Sequence, residues 1–488
     1  MKKYLSIILM GVAIAGSSCK KTYLDELKNN PNTPSVAAPG LLLSGALKSS
    51  ADIINGTTLR QYGGYLNYLS RSTGYQVFAN FDQYQFTTND FDIWSPTYLN
   101  LSNYKALIDA NISANYTAIA KIMTVYDYQI VVDSYNNVPY TDALQGTKNL
   151  NPKYDKGAAI YADLPKQLDA AIALIAGGAA STNPGNADIM FKGDMTKWTK
   201  FANSLKLRIA LRLVNVDPAG GKTLATGLTA DKMLDGTVAA SLNPGYTNSD
   251  ANGGQQSPLW QNWGYSQAGA GTLGNQQYQA NTDFINFLTT NNDPRLTKVY
   301  APNGDGNVIG SYFGGTATVP ANKTASKFGP GVLKAATMNA YIMSSAEALF
   351  EQAEAAARGY TTGDAQALYN AAITASFTDE GLTAAQATTY YSQSAIAYPA
   401  GGSLEDKIKA IITQKWAALN PYGVLEAFND LRRTGYPSGL RLSTYPGVNA
   451  TSQVTRIFYP VVEYKTNATN VGAEGTIDIF KSKIFWAK

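Results

Sequence analysis

Glu347, Glu351 and Glu354 come nearest, by type and spacing, to catalytic chemistry. On one helix, Glu347 and Glu354 share a face about two turns apart. That is roughly the 6.5–9.5 Å between the two carboxyl groups of an inverting glycosidase. Two acids on a single straight helix cannot flank a sugar from opposite sides, however. Arg358 also stands at i+4 to Glu354, where an ion pair forms. A structural or solvated role is therefore expected for these acids. Asp430, Arg432 and Arg433 could hold an anion or an acidic sugar, and the plainer expectation is an ion-pair network joining C-terminal helices. Asp133 precedes the turn Asn136-Asn137-Val138-Pro139 and is expected to cap or orient it.

Composition narrows the chemistry further. The chain has 488 residues and no histidine, which removes the commonest general base and metal ligand and any Ser-His-Asp or Cys-His nucleophile. The one cysteine, Cys19, allows no intramolecular disulfide. Net charge is +4 with only 15% charged residues and no basic run beyond the first residues, so no nucleic-acid partner is expected. No cofactor or metal is expected either, and the protein is read as a binding protein and not an enzyme.

A site without ionisable groups fits better. Sugar rings present C–H faces that pack on aromatic rings, while Asn, Gln and Arg bond the hydroxyls at the edge. Tyr (32) outnumbers Phe (16), and Tyr suits wet binding surfaces as well as cores. Tyr75, Phe78, Phe81 and Tyr84 fall among Gly, Asn and Gln, outside any helical stripe. So do Trp260, Trp263 and Tyr265, and Tyr312 and Phe313. The predicted ligand-binding set is Tyr75, Asn80, Phe81, Trp260, Gln261, Trp263, Tyr265 and Tyr312. The competing expectation is that these rings pin their loops to the scaffold.

The elements that must position them are mostly helical. Apolar residues recur at helical spacing in Ile119, Ile122, Met123, Tyr126 and Ile130, and again in Trp198, Phe201, Leu205 and Ile209. The same spacing returns in Ala346, Leu349, Phe350 and Ala353, and in Ile408, Ile411, Ile412 and Trp416. Tyr161–Ala176 and Ala365–Ser376 are weaker helices. Trp198 and Trp416 lie on apolar stripes and are expected in the core. No βαβ alternation or phosphate-binding glycine loop is found. Leu242–Ala280 and Ala301–Asn339 are long and irregular, a length usually tied to function. The expected fold is all-α, with the site on long irregular loops.

At the N-terminus, Lys2 and Lys3 precede the apolar run Leu5–Ala15 and the small residues Gly16-Ser17-Ser18. This predicts a signal peptide over 1–18 with Cys19 as the acylated first mature residue. Residues 19–38 then read as a tether, with Pro31 and Pro34 as breakers, and 39–488 as the folded body.

Four segments together resemble the SusD/RagB family. The first runs from Tyr126-Asp127-Tyr128 through Asp133 to Pro139-Tyr140-Thr141-Asp142. The second is Glu347-Ala348-Leu349-Phe350 with Ala353-Glu354 and Arg358-Gly359. The third is Gln414-Lys415-Trp416 with Asn429-Asp430-Leu431-Arg432-Arg433-Thr434-Gly435. The fourth is Arg456-Ile457-Phe458-Tyr459-Pro460 with Glu463-Tyr464 and Phe485-Trp486, and Asn292-Asp293-Pro294-Arg295-Leu296 adds a weaker match. The resemblance implies a scaffold of tetratricopeptide-like helix pairs. It implies an outer-membrane lipoprotein that faces the cell exterior and holds oligosaccharide, or in some members peptide, over a SusC-like TonB-dependent transporter. A peptide-binding RagB-like protein and a glycoside hydrolase are the alternatives.

Overall fold

The computed structural model describes residues 38–56, 58–72, 75, 79–315 and 324–488. The signal peptide, Cys19, most of the tether and Phe78 lie outside the described residues.

The longer helices are α1 (Pro39–Asn55), α2 (Trp94–Ala110), α3 (Ala114–Tyr135), α4 (Gly157–Gly177) and α5 (Met195–Arg212). Four more follow: α6 (Ser345–Ala357), α7 (Ala365–Asp379), α8 (Leu404–Ala418) and α9 (Val424–Thr434). Local chemistry fixes their starts. Pro39 opens α1, where its missing N–H costs nothing. Ser113, Asp194, Ser344 and Asp364 each accept backbone N–H groups at the starts of α3, α5, α6 and α7. Ser403 and Asp406 form a reciprocal capping box at α8. Gly435, at φ 83, ends α9 in the left-handed region that glycine enters without strain.

Successive helices pack on one another, α1 on α2, α2 on α3, and so on to α7, with α8 returning against α6. This is an all-α, tetratricopeptide-like scaffold of helix pairs. The central helix α3 is buried around nearly its whole circumference, which explains its apolar residues on every face. Trp198 and Trp416 lie in the core, as their stripes predict.

Two small antiparallel sheets connect the irregular stretches to the helices. β1 (Leu69–Arg71) and β2 (Ala240–Leu242) come early in the chain, β3 (Tyr278–Ala280) and β4 (Ala340–Met343) later. β1 pairs with β3 in the register Leu69 with Ala280 and Arg71 with Tyr278, and β2 pairs with β4. Among the described residues no helix is long and apolar enough to cross a membrane.

Candidate functional site

The β1–β3 pairing brings two distant loops together. Ser72 continues the ladder by donating its N–H to the Gln277 carbonyl at 2.8 Å. Tyr75 therefore emerges beside the short helix Leu273–Gln277, which Thr272 caps through Asn275. The Tyr75 hydroxyl donates to Oε1 of Gln276 at 3.0 Å, and Gln276 Nε2 donates to the Gly271 carbonyl at 2.6 Å. Gly271 is bridged in turn to Tyr265 across a tight antiparallel loop. One side chain, Gln276, thus links Tyr75 to the Tyr265 loop.

Tyr265 is held from its backbone, which leaves its ring outward. The indole N–H of Trp260 and the amide of Gln256 both donate to its carbonyl, at 2.9 and 3.0 Å. The rings of Trp260 and Tyr265 meet edge to face at 5.9 Å. Trp260 is half-buried, whereas Tyr75 and Tyr265 are each 38% exposed. Gln261 is also exposed and donates to the Gly253 carbonyl at 2.7 Å. Gly254 sits at φ 99, a left-handed conformation that favours glycine, and a Cβ there would displace the Gln261 amide from its place 2.3 Å away.

Lys327 fastens this surface from beneath. Its ammonium donates to Ser72 Oγ at 2.7 Å and to the carbonyls of Tyr278 and Gln276 at 2.6 and 3.2 Å. Burial pushes its pKa down to about 8.

The other sequence-predicted residues are taken up elsewhere. Trp263 is 3% exposed and packs against Tyr278 and Phe328, so its ring presents no face to a ligand. Phe81 packs edge-on against Phe91 at 5.0 Å, and Asn80 spends its amide on Asp90 at 2.7 Å. Tyr84 and Phe313 are buried together around Tyr65. Tyr312 lies under the Arg441 guanidinium, 4.2 Å from its ring centre, beside a separate cleft. Trp263, Tyr84 and Phe313 are thus buried, whereas Phe81 and Tyr312 stay partly exposed. Gln276 and Lys327 escaped the sequence reading because their roles arise only once β1 and β3 are paired.

The acidic residues of α6 are not available to a substrate. Glu347, Glu351 and Glu354 are all buried. Arg208 pairs with Glu347 and, at 3.1 Å, with Glu351, and Lys415 reaches Glu351 at 3.3 Å and Asp430 at 2.9 Å. Arg433 clasps Glu354 at 2.6 Å and Asp430 at 2.8 Å, and Arg358 joins Glu354 at 2.8 Å as the i+4 spacing predicts. The two guanidinium groups hold the Glu354 carboxyl well below the ordinary range against the opposing effect of burial. Solvated roles for these acids are thus overturned, and the structural role stands. Oxygens of Glu347, Glu351 and Glu426 lie within 4.8 Å of one another, a spacing that suits a cation. Arg208 and Lys415 already reach into that cluster.

Asp133 departs from its predicted role as a cap. Its carboxylate accepts from Tyr161, from Arg212 at 3.2 Å, from Asn429 at 3.2 Å and from Trp486 at 2.8 Å. It ties α3 to α4, α5, α9 and the chain end. The turn after α3 is held instead by Asn137 Oδ1, which accepts the Gly157 N–H at 3.0 Å, and by the Asn136 carbonyl oxygen of its side chain, which accepts from Phe485 N at 2.7 Å.

A family model described as SusD-like, "Starch-binding associating with outer membrane", matches residues 31–460. No curated protein is similar enough to match. Among solved structures, a SusD homologue of Bacteroides uniformis is 25% identical with a TM-score of 0.76, the match covering 92% of this chain and 99% of that one. A chitin-binding SusD homologue of Flavobacterium johnsoniae is 23% identical at TM-score 0.75, covering 91% and 98%. A SusD-like protein of Bacteroides thetaiotaomicron is 22% identical at 0.73, also covering 91% and 98%.

Proposed function

We propose, from the premise that this chain belongs to the SusD-like family, that it captures neutral oligosaccharides at the outer membrane on the surface of Tyr75, Trp260, Gln261 and Tyr265. Members of this family are binding proteins associated with the outer membrane, and that much comes with membership. The observation that carries the finer reading is the pair of half-exposed rings, Tyr75 and Tyr265, joined through Gln276. Their hydroxyl and amide neighbours are uncharged, so the surface suits a ligand of stacked rings and hydroxyl edges. The rings are set in place before binding by Lys327 and by the grip on the Tyr265 carbonyl, so little ordering cost falls on association.

In this reading Cys19 carries the acyl chains, and the protein hands its cargo to a SusC-like TonB-dependent transporter. Replacing Cys19 by Ala should release the protein from the membrane fraction. Co-purification of the wild-type chain with a SusC-like transporter tests the partnership.

Calorimetry against maltoheptaose, xylohexaose, laminarihexaose and chitohexaose tests the site. The chitin-binding relative of the same fold is the reason for the last probe. Tyr265→Ala and Tyr75→Ala should each weaken binding about tenfold, the loss of a stacking contact, with an unchanged melting midpoint. Wild-type affinity in both variants, for a probe the parent binds, would sink this assignment.

A further inference from the structure

A second cleft lies apart from the Tyr75–Tyr265 surface. Its volume is 510 Å³, within the range of small-molecule sites. One wall is the helix Thr282–Thr290, whose residues Asp283, Asn286, Phe287 and Thr290 recur at i, i+3, i+4 and i+7 and so share a face. The other wall is the Pro437–Arg441 loop.

Hydrogen bonds join the two walls. The side chain of Asn67 is buried, donates to the Arg441 carbonyl at 3.0 Å and accepts the Arg441 N–H at 2.7 Å. Arg441 then forms a two-point pair with Asp283, at 2.8 and 3.1 Å, which bridges the walls. The floor is apolar: Phe287 packs on the edge of Trp416 at 5.1 Å, and Leu440 closes it.

The lining decides the ligand class. Its two charges, Asp283 and Arg441, neutralise one another, so neither an anion nor a cation finds an unanswered partner. The exposed Asn286 amide and Thr290 hydroxyl make no hydrogen bond among the described residues. Neutral donors and acceptors above an aromatic floor match a ring with one C–H face and a hydroxyl edge.

We infer that this cleft is a second binding site for a neutral oligosaccharide. The choice of saccharide rests on the proposed function, while the cleft's geometry does not. Two sites on one chain would hold a long glycan at two points, and tethering raises the effective concentration of the second segment.

The test is calorimetry of the full chain with the same four oligosaccharides, using Tyr265→Ala, the double variant Asn286→Lys/Thr290→Lys, and the milder Thr290→Val. Both helix positions are exposed, so the fold should survive, and Thr290→Val covers the case where it does not. The expected result is two sites per chain, one removed by the double variant and weakened several-fold by Thr290→Val, the other weakened about tenfold by Tyr265→Ala. A single site weakened by Tyr265→Ala and untouched by the cleft variants overturns the second site and leaves the proposed function standing. A single site lost only in the cleft variants supports the cleft and overturns the Tyr265 assignment. No binding of any probe overturns both. Binding of a tryptic casein digest that the cleft variants abolish, with no saccharide bound there, overturns the ligand class.

Discussion

Asp133 in α3 accepts the indole N–H of Trp486 at 2.8 Å, across 353 positions of chain. The fully buried Trp486 ring also lies 5.2 Å from the Arg212 guanidinium and 5.1 Å from that of Arg432. The chain end is therefore a structural wedge between α3, α5 and α9. Trp486→Phe keeps most of the ring but removes a hydrogen bond to a charged acceptor, a loss of about 1.5–3 kcal/mol. Trp486→Ala adds a cavity and should cost about 3–5 kcal/mol. Thermal or urea unfolding of the two variants checks the order. Equal stability of parent and Trp486→Phe would remove the wedge.

Glu354 and Arg433 should give the fold an acid-sensitive component. The folded-state pKa of Glu354 is depressed by Arg433 first and Arg358 second. Its stabilisation is thus fully present above the ordinary carboxylate value and is lost as pH falls through the acid range below it. Glu354→Gln leaves the buried Arg433 with Asp430 as its carboxylate partner, at a cost of about 3–5 kcal/mol at neutral pH. The gap between parent and variant should close as pH falls from 5 toward 2 (roughly the window of native carboxylate protonation). A gap constant over that window counts against the pairing.

Asp127 should show the opposite sign. It is buried in α3 with only neutral partners, Ser50 and Asn100, each at 2.9 Å. Burial pushes its pKa up to about 7. The protonated acid fits the fold, so stability is present below the ordinary value of 3.8 and is lost as pH rises toward 7. Asp127→Asn supplies an oxygen for Asn100 and an N–H for Ser50 without a charge. It should match the parent at pH 4 and exceed it at pH 8, by up to about 4 kcal/mol. Melting midpoints of both proteins across that range decide it.

The long helices were legible because their apolar residues repeat at one period and their ends carry capping chemistry; Trp198 and Trp416 were placed by that period alone. Loop rings obey no period. Trp260 and Trp263 share one short helix, yet Trp263 is sealed by Tyr278 and Phe328 while Trp260 keeps part of its ring in the open. Only the return of those two distant residues separates the pair. Asp133 misled for the same reason, since its partners Arg212, Asn429 and Trp486 come from far along the chain. The polar repeat Asn286–Thr290 was within reach of a helical-period reading, because polar residues mark a face as well as apolar ones do.

Lys327 tests the support of the binding surface. Its three N–H bonds tie Ser72, three residues before Tyr75, to the strand and helix that carry Tyr278 and Gln276. Lys327→Met keeps the apolar stem and leaves three acceptors without their donor, each costing about 1–3 kcal/mol where water cannot replace it. Tyr75 and Gln276 should then lose their fixed geometry, weakening oligosaccharide binding several-fold. The pH dependence reports whether the amine is buried at this position. The folded pKa of about 8 lies below the ordinary lysine value of 10.5 because burial disfavours the ammonium. Between those values the unfolded chain holds a proton that the fold has released, so parent stability rises with pH. The stability difference between parent and Lys327→Met should therefore widen from pH 8 to pH 10. A difference that stays flat over this interval would mean the amine is solvated and does not hold the loop.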